Sequence, residues 1–180
     1  MSKELVRIHA HLCGDGGLYE YKTSEKDRVN RAEIAYFNTN VDLINSFRRD
    51  MNKLFGVKMT YSKKRYKVKV SSIRIAKVLL NLSEYGTREW RIPQCIQQSP
   101  REYRIEWIKA FSHDEGYIPP NRKVIRIKSM NLKGLIDLSE MLDSLRIEYS
   151  LNGPNCDNSY YINIKKMYEL ENFSKKKSRK

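Results

Sequence analysis

Two acidic residues, Asp15 and Glu115, each close an apolar stretch and each precede a glycine, Gly16 and Gly116. Ile105–Gly116 reads as a helix, because Ile105, Ile108 and Phe111, with Ala110 and Ser112, recur at the i, i+3, i+4 spacing of a buried stripe. The C-terminus of a helix carries partial negative charge from its unpaired carbonyls, so a lysine or arginine is the usual occupant. Asp114 and Glu115 add negative charge at that end, and Gly116 suits a left-handed cap. Such an end lowers its energy by holding a cation. Leu5–Gly16 repeats the pattern in register: Leu5 matches Ile105, Ile8 matches Ile108, Ala10 matches Ala110, Asp15 matches Glu115 and Gly16 matches Gly116. Periodicity alone aligns apolar positions. It does not repeat a small residue, an acid and a glycine.

The elements that must position these acids follow each stretch in the same order. After Gly16, Leu18–Lys22 predicts a strand, Ser24–Asn30 a polar turn and Ala32–Asn38 a second strand. Asn40 is placed to cap a helix with apolar positions Leu43, Ile44, Phe47, Met51 and Leu54, closed by Gly56. Val57–Tyr61 and Tyr66–Val70 alternate with period two around Ser62–Arg65, a hairpin with one apolar and one basic face. Ser72–Leu82 predicts an amphipathic helix, and Tyr85–Pro100, punctuated by Gly86, Pro93 and Pro100, a linker. In the second half, Ile34–Asn40 aligns with Ile125–Asn131, Phe47, Met51 and Leu54 with Leu138, Leu142 and Leu145, and Tyr66, Val68 and Val70 with Tyr160, Ile162 and Ile164. A turn over Asn152–Asn158 separates the last strands. Residues 1–99 are expected to form one repeat with its linker, 100–174 a second, and 175–180 a disordered basic tail. Neither half-sheet can bury its apolar face without helices across it. Packing the two acid-ended helices side by side puts four strands on each side and brings Asp15 and Glu115 together.

Composition agrees with a polyanion as partner. The chain has 180 residues, 40% of them hydrophobic, and a net charge of +14. Residues 51–83 carry nine basic side chains and no acidic one, whereas residues 101–174 carry eleven of each sign. Charge is placed, not spread. No apolar run approaches the roughly 20 residues that span a bilayer, so no membrane partner is expected. The charged opening residues argue against a signal peptide. Cys13, Cys95 and Cys156 fit neither a disulfide framework nor a zinc site, which implies a reducing, cytoplasmic compartment, with Cys13 packed between the helices.

The doubled motif resembles those of the LAGLIDADG homing endonucleases, in the single-chain form that carries both. The match holds at the apolar positions and the terminal acid–glycine, and departs where Ala10 and Ala110 stand for the family's mid-helix glycine. The resemblance implies an α+β fold: two pseudo-symmetric α-β-β-α-β-β-α repeats forming a saddle-shaped antiparallel sheet around a paired-helix interface, seated in the DNA major groove. It implies a monomer that cuts double-stranded DNA with divalent metal, Mg²⁺ or Mn²⁺, held by carboxylates near the scissile phosphates. Asp15 and Glu115 would be the catalytic acids and metal ligands, one for each strand, with backbone carbonyls of Gly14 and Asp114 completing the coordination. Asn38 stands where a glutamine is frequent, with Ser129 as its counterpart. Arg88 and Arg91, ahead of Ile92-Pro93, resemble a basic residue of many relatives, and Lys165 on the last strand is a further candidate near the phosphates. His9 and His11, two apart on a helix, point to different faces and read as packed or solvent-facing side chains.

DNA contacts are expected from the strand faces opposite the apolar ones. In the first half these are Tyr19, Tyr21, Thr23, Lys58, Thr60, Lys67 and Lys69, with Lys63, Lys64 and Arg65 at the hairpin turn. In the second they are Arg122, Arg126, Lys128, Ser150, Asn152, Tyr161 and Asn163. Arginine, lysine and amide side chains discriminate bases in the major groove, although many such contacts go to phosphates. Two other readings share the charge: an intron RNA splicing cofactor or DNA-binding regulator on the same fold, and an unrelated basic RNA-binding module. An acid retained in both motifs favours the enzyme.

Overall fold

The computed structural model describes residues 1–22, 31–119 and 124–165. The expected turn 24–30, the candidates Thr23 and Arg122, any last helix of the second repeat and the basic tail lie outside them.

Helix α1 (Lys3–Cys13) starts where Ser2 Oγ accepts the Leu5 amide at 3.2 Å. It leads through Gly14 and Asp15 into β1 (Gly16–Tyr21), followed by β2 (Arg31–Phe37). Helix α2 (Val41–Phe55) is capped by Asn40, whose side chain accepts the Asp42 amide at 2.9 Å, and is closed by Gly56 at φ 68°. Only a residue without Cβ takes that left-handed conformation freely. The hairpin forms as β3 (Thr60–Ser62) and β4 (Lys67–Ser71) around a 3₁₀ turn at Lys63–Arg65, and Ser72 caps α3 (Ile73–Leu82).

A short helix, α4 (Gln94–Gln97), leads to α5 (Arg101–Glu115), β5 (Gly116–Tyr117), β6 (Val124–Ser129), α6 (Leu132–Ser144), β7 (Tyr149–Asn152) and β8 (Tyr160–Lys165). Gly116 does not take the expected left-handed cap. At φ −90° and ψ 150° it is already extended, because it is the first residue of β5.

The strands make two antiparallel four-stranded sheets, ordered β1-β2-β4-β3 and β5-β6-β8-β7. Their registers coincide. Gly16 pairs with Tyr36, Tyr36 with Val68 and Val68 with Tyr61; Gly116 pairs with Ile127, Ile127 with Ile162 and Ile162 with Leu151. Side chains alternate along a strand, so these rows turn toward the helices and the adjacent rows turn away.

α1 serves two cores. Ile8 and Leu12 join Ile34, Tyr36, Phe47 and Val68 under the first sheet. Val6, Ala10 and Cys13, at i, i+4 and i+7, join Trp107, Phe111 and Ile127 in the second. Arg7 fixes the arrangement laterally, meeting Asp50 of α2 at 2.8 and 2.7 Å and Glu106 of α5 at 3.1 Å.

The segment 85–100 is more than a linker. Trp90, Ile92 and Ile96 are buried in the second core, and Arg91 donates to both carboxylate oxygens of Asp137 at 2.7 Å. Asp137 also accepts the Ile92 amide at 2.9 Å, which clamps the segment onto α6. Among the described residues no helix is long and apolar enough to cross a membrane.

Candidate active site

α1 and α5 pack through their small residues, Ala10 and Ala110, both buried. At the acid-bearing end the approach is close. A Cβ on Gly14 would lie 2.8 Å from Cβ of Asp114, so no larger residue fits there without movement. Asp15 and Glu115 therefore stand at equivalent ends of a packed helix pair, each directly ahead of the glycine that opens an edge strand. The Asp15 carbonyl accepts the Phe37 amide at 3.0 Å, tying that end to β2.

The two ends differ in their surroundings. Asn38 follows β2, and its Oδ1 accepts the Asn40 amide at 2.9 Å, which turns its Nδ2 toward the acids. Nδ2 donates to Asp15 Oδ2 at 2.8 Å, with longer approaches to the Tyr36 hydroxyl at 3.2 Å and Asp114 Oδ1 at 3.3 Å. The Asp114 carboxylate is buried and its oxygens are engaged: Oδ1 accepts the Tyr36 hydroxyl at 2.7 Å, and Oδ2 meets His11 Nδ1 at 2.8 Å. Asp114 thus joins α5 to the first repeat, and its backbone carbonyl, not its side chain, remains for the expected metal role. Burial first, then the adjacent Asp114 charge, pushes the Tyr36 hydroxyl far above the usual tyrosine range, so it stays a donor.

Glu115 lines a cleft of about 690 Å³ with Gly14, Gly16, Thr87, Lys128, Ser129 and Asp157. Ser129, the counterpart of Asn38, accepts the Asn131 amide at 3.1 Å. Neither histidine is solvent-facing. His9 accepts from Trp107 Nε1 at 2.8 Å, and His11 lies against Tyr36 and Phe47. Cys13 is buried between the helices as expected.

The remaining candidates are dispersed. Arg88 is exposed in the turn before Trp90, while Arg91 is bound to Asp137. Lys165 pairs with Glu148 at 2.8 Å and sits three register positions along β8 from the row containing Gly116. Tyr19, Tyr21, Lys58, Thr60, Lys63, Lys64 and Arg65 are exposed. Lys67 and Lys69 are not free cations: their ammonium groups meet the two oxygens of Glu33 at 2.8 and 2.9 Å. Glu33 was not among the expected site residues, although its place in the alternation Glu33-Ile34-Ala35-Tyr36 puts it on the polar face. On the second sheet Arg126, Asn163, Ser150 and Asn152 form one hydrogen-bonded chain, and Lys128 pairs with Asp157 beside Tyr161.

No protein-family model and no curated protein sequence matches this chain. Solved structures do. A structure of mesophilic variants of the homing endonuclease I-DmoI superimposes with a TM-score of 0.69 at 21% identity, covering 90% of this chain and 82% of that one. I-DmoI in complex with DNA and Mn gives 0.67 at 20% identity, covering 90% and 89%. The homing endonuclease I-WcaI bound to its DNA recognition sequence gives 0.56 at 12% identity, covering 91% and 76%. The chain has the α+β, two-repeat fold of the single-chain LAGLIDADG homing endonucleases.

Proposed function

We propose that this protein is a site-specific homing endonuclease that makes a metal-dependent double-strand break in DNA at a long pseudo-symmetric target. The observation that supports this best is the equivalence of Asp15 and Glu115 at the ends of α1 and α5, each ahead of an edge strand. The fold neighbour I-DmoI, in complex with DNA and Mn, is of the same architecture. The net charge of +14 suits a polyanionic partner.

The donor chemistry fits a hard divalent ion such as Mg²⁺, with Mn²⁺ as a substitute, since carboxylate and carbonyl oxygens are its preferred ligands. Among the described residues no group of three or more acids, histidines or cysteines is placed to hold an ion alone. Asp15 and Glu115, with the helix-end carbonyls of Gly14 and Asp114, would hold it together with water and DNA phosphate oxygens. When bound, such an ion polarises the phosphate and activates water. The chain's own residues do the positioning. Asn38 holds the Asp15 carboxylate, and the Asp114–His11–Tyr36 cluster keeps that end of the helix pair in place. Arg88 is exposed and is left for the DNA backbone, whereas Lys165 would have to leave Glu148 to reach it. Both half-sites reside in one chain, so the protein acts as a monomer; the family resemblance supports an intron-encoded origin, and the three free cysteines suit a reducing compartment.

Supercoiled plasmid carrying candidate sites, incubated with and without Mg²⁺, tests the reading. Linear product should form only with the ion. Asp15→Asn or Glu115→Gln should abolish double-strand cleavage while DNA binding persists, and full cleavage by either variant would overturn the two-acid mechanism. Sequence-selective binding without cleavage under every divalent ion would instead favour a splicing cofactor or regulator.

A further inference from the structure

Among the described residues on the polar face of the second sheet, one cation has only neutral partners. Arg126 lies on β6, an interior strand, in the row Tyr117–Arg126–Asn163–Ser150. Its Nε donates to Asn163 Oδ1 at 2.7 Å and its Nη1 reaches the Tyr117 hydroxyl at 3.4 Å. Its guanidinium carbon lies 5.3 Å from the centre of the Tyr161 ring. Asn163 is itself held, because its Nδ2 donates to Ser150 Oγ at 3.2 Å, so the amide orientation follows from both partners. By contrast, Lys128 and Lys165 on the same sheet meet the carboxylates of Asp157 and Glu148.

We propose that Arg126 reads a guanine in the DNA major groove, aimed by Asn163, Tyr161 and Tyr117. This rests on the DNA-binding reading above and names one base within it. In that reading the polar sheet face lies along the major groove, which places an arginine on an interior strand toward base edges and leaves the exposed turns for phosphates. Base contacts specify and phosphate contacts position. The two hydrogen bonds given leave three of the five guanidinium N–H groups, and guanine O6 and N7 accept two in parallel. Holding the planar fork in advance removes rotamer entropy that a free side chain would lose on binding. Asn163 is then a positioning residue, not a base reader. The corresponding row of the first sheet is Gly17–Ala35–Lys69–Thr60, with alanine in place of Arg126. The cation in that row, Lys69, is engaged by Glu33, so the guanine preference set by Arg126 belongs to one half-site.

Selection from a pool of randomised duplexes tests this with the full chain. The wild-type protein should enrich one guanine in one half-site that has no counterpart in the other. Arg126→Gln, which keeps the stem, should lower the preference at that position by roughly 5- to 150-fold and leave other positions unchanged. Asn163→Ala should weaken preference at the same position, and Asn163→Asp, which keeps an acceptor for Nε, should restore it. The asparagine variants keep the question open to refutation if Arg126→Gln fails to fold. An Arg126→Gln protein with the wild-type guanine preference, or one weakened equally on every sequence, overturns the inference while the DNA reading stands. A wild-type protein that enriches no sequence overturns both.

Discussion

His9 and His11 lie two positions apart on α1 and are held by opposite means. His11 faces the Asp114 carboxylate, whereas His9 is wholly buried with Trp107 Nε1 donating to it at 2.8 Å. Burial pushes the His9 pKa from its ordinary 6.5 down to about 3. Below the ordinary value the unfolded chain takes up a proton that the native imidazole refuses, so the unfolded state binds more protons. Stability from this residue is thus intact at neutral pH and falls as pH drops from that value toward about 3. The slope approaches about 1.4 kcal/mol per pH unit. His9→Gln, which keeps an acceptor for Trp107, should flatten the acid side of the stability profile measured by urea unfolding; an unchanged profile would contradict the assignment. The placement of Asp15 and Glu115 at helix ends ahead of strands was legible because acid, glycine and apolar stripe are all local. The engagement of Asp114 was not, since His11, Tyr36 and Asn38 reach it from separate elements of the first repeat.

Between elements, the closest fit is Trp90 of the clamped segment on α6. A Cβ added to Gly134, inside α6, would stand 2.5 Å from the Trp90 ring. Alanine ordinarily favours a helix over glycine by about 1 kcal/mol. Here the Trp90 ring is buried and its carbonyl accepts Asn131 Nδ2 at 2.6 Å, so it has little room to yield. Overpacking costs about 1–3 kcal/mol, and the steric term wins. Gly134→Ala should lower the urea midpoint; a rise would show that Trp90 swings aside. The correspondence between the two sheets could be read in advance because alternation and the repeat pin each other, whereas the strand order could not. Ile34 pairs with Val70 as its match Ile125 pairs with Ile164, so residues aligned between the repeats hold the same register positions. The segment 85–100 misled because Gly86, Pro93 and Pro100 punctuate it like a loop. The apolar Trp90, Ile92 and Ile96 are too few, and too broken by Pro93, to mark a helix or strand, and only tertiary packing shows that they are core.

At the scale of the whole molecule, charge divides the two repeats differently from a residue count. The hairpin carries Lys58, Lys63, Lys64, Arg65, Lys67 and Lys69 with no acid between them. Yet Glu33, one strand away, takes both Lys67 and Lys69. The cations that remain exposed at the tip are Lys63, Lys64 and Arg65, on a turn that projects from the sheet. Each phosphate contact releases condensed counterions and adds about one unit to the slope of log affinity against log salt. Replacing these three with alanine should weaken binding to every duplex and reduce that slope by up to about three units. The second sheet works otherwise. Asn152 and Asn163 both donate to Ser150, and Asn163 carries the linkage on to Arg126. Alanine at Asn152 and Asn163 removes no charge, so it should relax sequence preference in one half-site and leave the slope nearly unchanged. Binding titrations of both variants over a series of salt concentrations separate the effects. Equal changes of slope would mean that the two repeats share the phosphate contacts, and the division of labour would be wrong.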